Sequence, residues 1–147
     1  SLKYKDKTAL GVKLGNILGE RLQLSEFYTG IDLVIPVPLH PKKERLRGYN
    51  QSKYIADGIA EVLNVPVSDT HLSRQIATSS QTKKSRYSRY ENMQEVFKIS
   101  NAEELKNLHI LLIDDVITTG ATLEACGNAL LTANIDKLSI AAVAFAE

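Results

Sequence analysis

The sequence predicts an α/β domain built on a mostly parallel, twisted sheet flanked by helices. Three observations carry this. Ile110-Leu111-Leu112-Ile113 is apolar without polar alternation, as in a strand buried on both faces. It leads through Asp114-Asp115 and a Thr- and Gly-rich turn into a helical stretch from Leu123 to Leu131. Upstream, Ile31 to Val65 reads as strand, turn, helix and strand again, a βαβ pattern that implies parallel pairing.

A chain of 147 residues suits one domain with one substantial core. Its net charge of +1 gives no bulk argument for nucleic acid or membrane binding, so neither is an expected partner. No apolar run approaches a membrane span and no signal peptide is visible, so the expected compartment is the cytoplasm. The single cysteine excludes an internal disulfide and a multi-cysteine zinc site within these residues. The chain starts at Ser1, which leaves open a fragment of a longer protein.

Taken in order, Leu2 to Lys7 is short and basic. Thr8 to Leu24 reads as a packing helix, because Leu10, Leu14, Ile17, Leu18 and Leu22 recur at spacings of three and four. Ile31 to Ile35 is a buried strand. It runs into Pro36-Val37-Pro38-Leu39-His40-Pro41, where three prolines stiffen a loop of the kind that serves ligands. Lys42 to Ser52 follows, with four cations in its first six residues, and reads as a basic connection that could meet an anion. Gln51 to Leu63 is a second amphipathic helix with Ile55, Ile59, Val62 and Leu63 on its buried stripe. Asn50 or Ser52 would cap it, and Asn64 suits a left-handed end.

Val65 to Arg74 holds one or two short strands. Gln75 to Asn92 is polar, basic and without apolar period, long for a bare connection and suited to a lid. Glu95 to Ile99 is a strand, Asn101 to Asn107 a short helix or turn, and Lys137 to Ala146 a last strand dense with Ile, Val, Ala and Phe. Thr122 reads as the cap of the helix after the acids. Cys126 sits on its apolar side and reads as a packing thiol. His40, His71 and His109 lack metal-ligand spacing, and the last two read as structural or exposed.

The chemistry concentrates at the end of the strand that closes on Asp114-Asp115. Ligands of open parallel sheets bind at the carboxyl ends of strands. Adjacent carboxylates there suit hydroxyls or a metal, and a helix N-terminus beside them favours an anion. A ligand with both a diol and a phosphate, such as a phosphorylated sugar, answers both. Neither the acidic pair of a phosphoacceptor receiver domain nor the acidic strand of a nucleotide hydrolase explains the Thr118-Thr119-Gly120 turn, and the Gly-Lys-Ser/Thr phosphate loop of the latter is missing.

Residues 110 to 122 resemble the phosphoribosyl-pyrophosphate (PRPP) motif of type I phosphoribosyltransferases. Arg45-Leu46-Arg47-Gly48-Tyr49-Asn50-Gln51 resembles the Arg-x-Arg-Gly-Phe-Asn-Gln signature of the ComF/GntX type, often labelled amidophosphoribosyltransferase-like, with Tyr49 in place of Phe. Arg74, Thr78, Gln81, Arg89, Asn92 and Phe97 match further positions of that type in order. The resemblance implies the three-layer type I phosphoribosyltransferase fold in one domain spanning 1–147, with a flexible loop over the site. It implies a homodimer, and it implies that a four-cysteine zinc module often precedes the domain.

It also implies roles. Backbone amides of Val37, Pro38, Leu39 and His40 (proline's carbonyl only) belong to the pyrophosphate loop, and Arg47 contacts the anion. Asp114 and Asp115 take the ribose hydroxyls, one of them touching Mg²⁺. Thr118, Thr119, Gly120, Ala121 and Thr122 bind the 5-phosphate. Arg89, on the flap, stabilises the leaving pyrophosphate while a nitrogen nucleophile attacks C1. The acceptor is not legible. The resemblance also connects to DNA uptake in competence, so a PRPP- or nucleotide-binding module serving a competence or other protein assembly without turnover is the second reading.

Overall fold

The computed structural model describes residues 2–76 and 95–146, without the side chains of Leu2, Lys3, Ile76 and Glu95. Residues Thr78, Gln81, Arg89 and Asn92, and with them the expected flap, lie outside the described residues.

Helix α1 (Leu2–Gln23) leads through a 3-10 turn (Glu26–Tyr28) to strand β1 (Leu33–Pro36). Helices α2 (Pro41–Arg47) and α3 (Gln51–Leu63) follow, then strands β2 (Leu72–Ile76) and β3 (Glu95–Ile99). A second 3-10 turn (Ala102–Leu105), strand β4 (His109–Ile117), helix α4 (Ala121–Leu131) and strand β5 (Lys137–Phe145) complete the described chain.

The main sheet has the order β1-β4-β5, all parallel, and β2-β3 form a separate antiparallel pair. Of the one or two short strands expected within Val65–Arg74, β2 begins at Leu72, and Val67 adds a single parallel bridge to Val34 of β1. Asn64 ends α3 in the left-handed conformation, as its side chain permits.

Residues of β4 alternate between two cores. Ile110 and Leu112 pack with Leu105, Leu123, Cys126 and Leu130 on the face covered by α4. Leu111 and Ile113 pack with Ile55, Ala56 and Ile59 on the face covered by α3. Both faces of the strand are thus dry, which is why its sequence lacks alternation. Cys126 is fully buried, as its apolar position implied.

Four sequence expectations need correction. The leucine stripe of α1 is its packing face only in part: Leu22 is buried and Leu18 packs against the core, but Leu10 and Ile17 are each 54% exposed. Beside them the helix turns Gly11, Gly15 and Gly19, all buried, toward α3. A Cβ on Gly15 would stand 2.1 Å from the Ile55 carbonyl oxygen, and one on Gly58 2.1 Å from that of Val12. The two backbones approach so closely that only glycine fits at the crossing. The Asn16 amide, donating to the Gly58 carbonyl at 2.9 Å, ties the seam.

Second, the proline-rich stretch ends in a helix: Pro41–Arg47 is helical, although the prolines were read as stiffening a loop. Pro41 occupies its first turn, where a missing N–H costs nothing, and His40 Nδ1 accepts from the Lys42 amide at 3.0 Å. Third, the acids do not follow the end of a strand. β4 continues through Ile117 and pairs with β5 as far as Phe145, whereas β1 stops at Pro36 opposite Ile113. Asp114 to Ile117 therefore overhang the sheet with a strand on one side only among the described residues. Fourth, Thr122 is not the cap of α4. Gly120 holds that place at φ +83°, and the Thr119 hydroxyl accepts from the Ala121 amide at 3.2 Å.

His71 and His109 are structural. His109 is buried, its Nδ1 on the Thr29 carbonyl at 3.1 Å and its Nε2 on the Ser139 hydroxyl at 2.7 Å. His71 bridges the Ser68 hydroxyl and Glu104, and the same hydroxyl accepts from the amides of Thr70 and His71. That pattern is a turn clasp around a buried serine.

Candidate phosphoribosyl-binding site

The overhang of β4 opens onto a cavity of about 200 Å³. One wall is the loop after β1, with Val37, Pro38 and Leu39. Asp114, Asp115 and Thr122 line it as well. Lys43 and Arg47, one helical turn apart on α2, line the cavity together with Arg74 of β2. Three cations and two carboxylates thus line one polar hollow.

Of the residues singled out in the sequence, the structure brings Val37, Pro38, Leu39, Arg47, Asp114, Asp115 and Thr122 to this one cavity. His40 does not line it; its ring is committed to the start of α2. Thr118, Thr119, Gly120 and Ala121 form the turn between the acids and α4 without lining the cavity. Arg89 lies outside the described residues.

Lys43, Asn50, Ser52 and Arg74 line the cavity without having been assigned to it from sequence. Asn50 has a double task. Its Oδ1 accepts from the Ser52 amide at 3.2 Å to cap α3, and its Nδ2 donates to the Val37 carbonyl at 3.1 Å. The loop after β1 is thereby pinned to the start of α3. Arg74 donates to the Pro38 carbonyl at 3.4 Å, and its guanidinium lies 5.3 Å from the Phe97 ring centre. The available signals were the signature motif for Asn50 and the ordered matches for Arg74 and Phe97. Lys43 belonged to the basic cluster read as able to meet an anion, and Ser52 was read only as a candidate cap.

Asp114 is half-buried. Its carboxyl is pushed up to about 6, first by burial and then by sharing hydrogen bonding and charge with Asp115; the Asp115 amide and Arg74 oppose the shift. The Asp115 carboxylate in turn accepts from the Val116 amide at 2.8 Å.

No group of three or more His, Cys, Asp or Glu among the described residues could enclose a metal. Two carboxylates beside an anion site fit Mg²⁺ held jointly with a substrate's phosphates, since that ion keeps waters and uses few protein ligands. The first turn of α4 presents amides that intrahelical bonding leaves open, and the helix dipole adds positive potential there.

The chain belongs to the phosphoribosyl transferase domain family, whose model matches residues 50–147. It is 27% identical over 133 residues to the DNA utilization protein YhgH of Salmonella typhi, covering 88% of this chain and 58% of that protein. It is 31% identical over 99 residues to the competence protein ComFC of Bacillus subtilis, covering 67% of this chain and 38% of that protein. The match thus spans 58% of the one relative and 38% of the other, less than two thirds of either. The glutamine PRPP amidotransferase of B. subtilis, solved with ADP and GMP, superposes with a TM-score of 0.61 at 17% identity, over 92% of this chain and 26% of that one. At that identity the likeness shows the fold, which is the type I phosphoribosyltransferase fold. Among the described residues, no helix is long and apolar enough to cross a membrane.

Proposed function

We propose that this chain binds Mg²⁺-PRPP in the cavity at the β4 overhang and transfers the phosphoribosyl group to a nitrogen acceptor, releasing pyrophosphate. The observation that carries this reading is the convergence of Asp114, Asp115 and Thr122 with Val37–Leu39 and Arg47 around one cavity. Each wall answers one part of the ligand.

The carboxylates of Asp114 and Asp115 accept hydrogen bonds from the ribose hydroxyls. The turn from Thr118 to Thr122 and the start of α4 hold the 5-phosphate through backbone amides. The loop Val37–His40 offers backbone groups to the pyrophosphate, and Lys43, Arg47 and Arg74 offset its charge. Asp114 and Asp115 are the residues that would hold Mg²⁺, which when bound neutralises charge on the leaving group. Their negative charge also favours the cationic character that develops on the ribose ring as the C1–O bond breaks. The acceptor's nitrogen then forms the new bond to C1 and loses its proton. Arg89 has the role of a further cation on the pyrophosphate.

The names of the curated relatives favour a second reading, a PRPP- or nucleotide-binding module without turnover in a competence or DNA-utilisation assembly. Both readings use the same cavity, and both place the chain in the cytoplasm as a homodimer. They part on catalysis, since only the first releases pyrophosphate when an acceptor is present.

Thermal unfolding with PRPP, with and without Mg²⁺, tests the shared part. Ligand at about 100 times its dissociation constant adds about 2.7 kcal/mol of stability. The expected shift depends on Mg²⁺ and vanishes in the Asp114→Asn/Asp115→Asn double variant. A shift that the double variant retains discards the site.

A further inference from the structure

A second cavity, of about 230 Å³, lies on the other side of α2. It shares Pro38, Leu39 and Asn50 with the first. Its remaining walls are of a different kind. Tyr49 stands edge-on between two other tyrosines, its ring centre 5.4 Å from that of Tyr4 and 6.3 Å from that of Tyr54. The Tyr4 and Tyr54 hydroxyls meet at 3.1 Å. That contact pushes the Tyr54 phenol up to about 12, so it remains a neutral hydrogen-bonding group at physiological pH.

The charges differ as well. Glu44 and Asp69 line this cavity. The lining cation, Lys53, is held by Asp57 at 2.7 Å. Helix α2 sorts its side chains between the two hollows: Lys43 and Arg47 face the first, and Glu44 faces the second. The shared loop and one short helix therefore border both a hollow lined by three cations and two carboxylates and one lined by tyrosines, two carboxylates and the paired Lys53.

We propose that the tyrosine-lined cavity is a second ligand site, for a flat, N–H-rich aromatic ring bearing positive charge or amino groups. Aromatic faces attract such a ring by stacking and by cation–π attraction. Glu44 and Asp69 accept its N–H groups, and they repel an anion. Drug-sized pockets run from about 300 to 1,000 Å³, so the smaller volume here suits a single ring system. This assignment goes beyond the phosphoribosyl reading and stands without it, because it rests on the second cavity's own walls.

The test uses two probes of one shape and opposite charge, benzamidine and benzoate, titrated into the whole chain and followed by amide NMR. Benzamidine is expected to shift the amides of Glu44, Gly48, Tyr49 and Asp69, and benzoate to leave them in place. The Glu44→Gln/Asp69→Asn variant is expected to weaken benzamidine at least tenfold. Pyrophosphate, read at the amides of Arg47 and Asp115, reports separately on the first cavity and on the integrity of the variant. Shifts with benzamidine and none with pyrophosphate would sink the phosphoribosyl reading and leave this one standing. No benzamidine shifts at those amides, or equal shifts with benzoate, would overturn it.

Discussion

The backbone amide of Asp115 donates to Oδ1 of Asp114 at 2.9 Å, so the two acids of the motif are joined through the chain as well as by charge. The bond favours ionised Asp114, yet burial and the neighbouring carboxyl outweigh it and leave the group titrating at about 6. Ligand binding that needs both charges should therefore strengthen from pH 5 to pH 7. Calorimetric titration of Mg²⁺-PRPP across that range checks this. A flat profile would show that Asp114 is not required in its ionised form.

The same shift has a consequence for folding, with the opposite sign from most carboxylates. Because the folded-state value lies above the ordinary 3.8, the protonated acid is the one the fold prefers. Its contribution is present below that value and is lost as pH rises through about 6. Asp114→Asn should then stabilise the domain at pH 8, on the order of 1 kcal/mol after discounting for its half-exposed setting, and change little at pH 4. Urea unfolding at the two pH values gives the comparison.

Arg47 and Arg45 sit on the same short helix, but only Arg47 lines the cavity at the β4 overhang. Arg47→Ala should weaken pyrophosphate binding by about 1.5–3 kcal/mol, the range for a charge-assisted hydrogen bond. Arg45→Ala should leave affinity close to that of the parent. Equal losses in the two variants would reduce the effect to general charge.

Gly120 meets no atom within 4 Å of an added Cβ, so space does not explain it; its φ of +83° does. Gly120→Ala should cost about 1–2 kcal/mol in stability, and Gly120→Asn less, since asparagine tolerates the left-handed region. Thermal unfolding of both variants measures the difference.

At the α1–α3 crossing, space is the issue. Gly15→Ala places a methyl group against the Ile55 carbonyl, and overpacking of this kind typically costs about 1–3 kcal/mol. A stability equal to the parent's, by urea unfolding, would mean that the helices separate at no cost.

The strand carrying the acids was legible because burial on both faces removes polar alternation, and the turn because its residue types are chemically unusual together. The sheet's extent past Asp114 was not legible. Two aspartates interrupt the apolar run, and only the partner strand β5 shows that extended pairing continues. Helix α2 was hidden by the prolines before it, although Pro41 is placed where proline starts helices well. The packing face of α1 was read only in part, through Leu18 and Leu22, for a related reason. Periodicity weighs large apolar side chains, whereas close helix contact selects the absence of side chains, so Gly11, Gly15 and Gly19 carried the information that Leu10 and Ile17 obscured.

The glycine seam also acts as a ruler. Tyr4 lies about two turns before Gly11 on one continuous helix, with no loop between them to absorb an error. Sliding α1 by a single residue would move Tyr4 by about 1.5 Å and swing it through about 100°. The position of an aromatic group beside the second cavity is thus set by counting residues along a rod whose zero mark is a contact between two backbones.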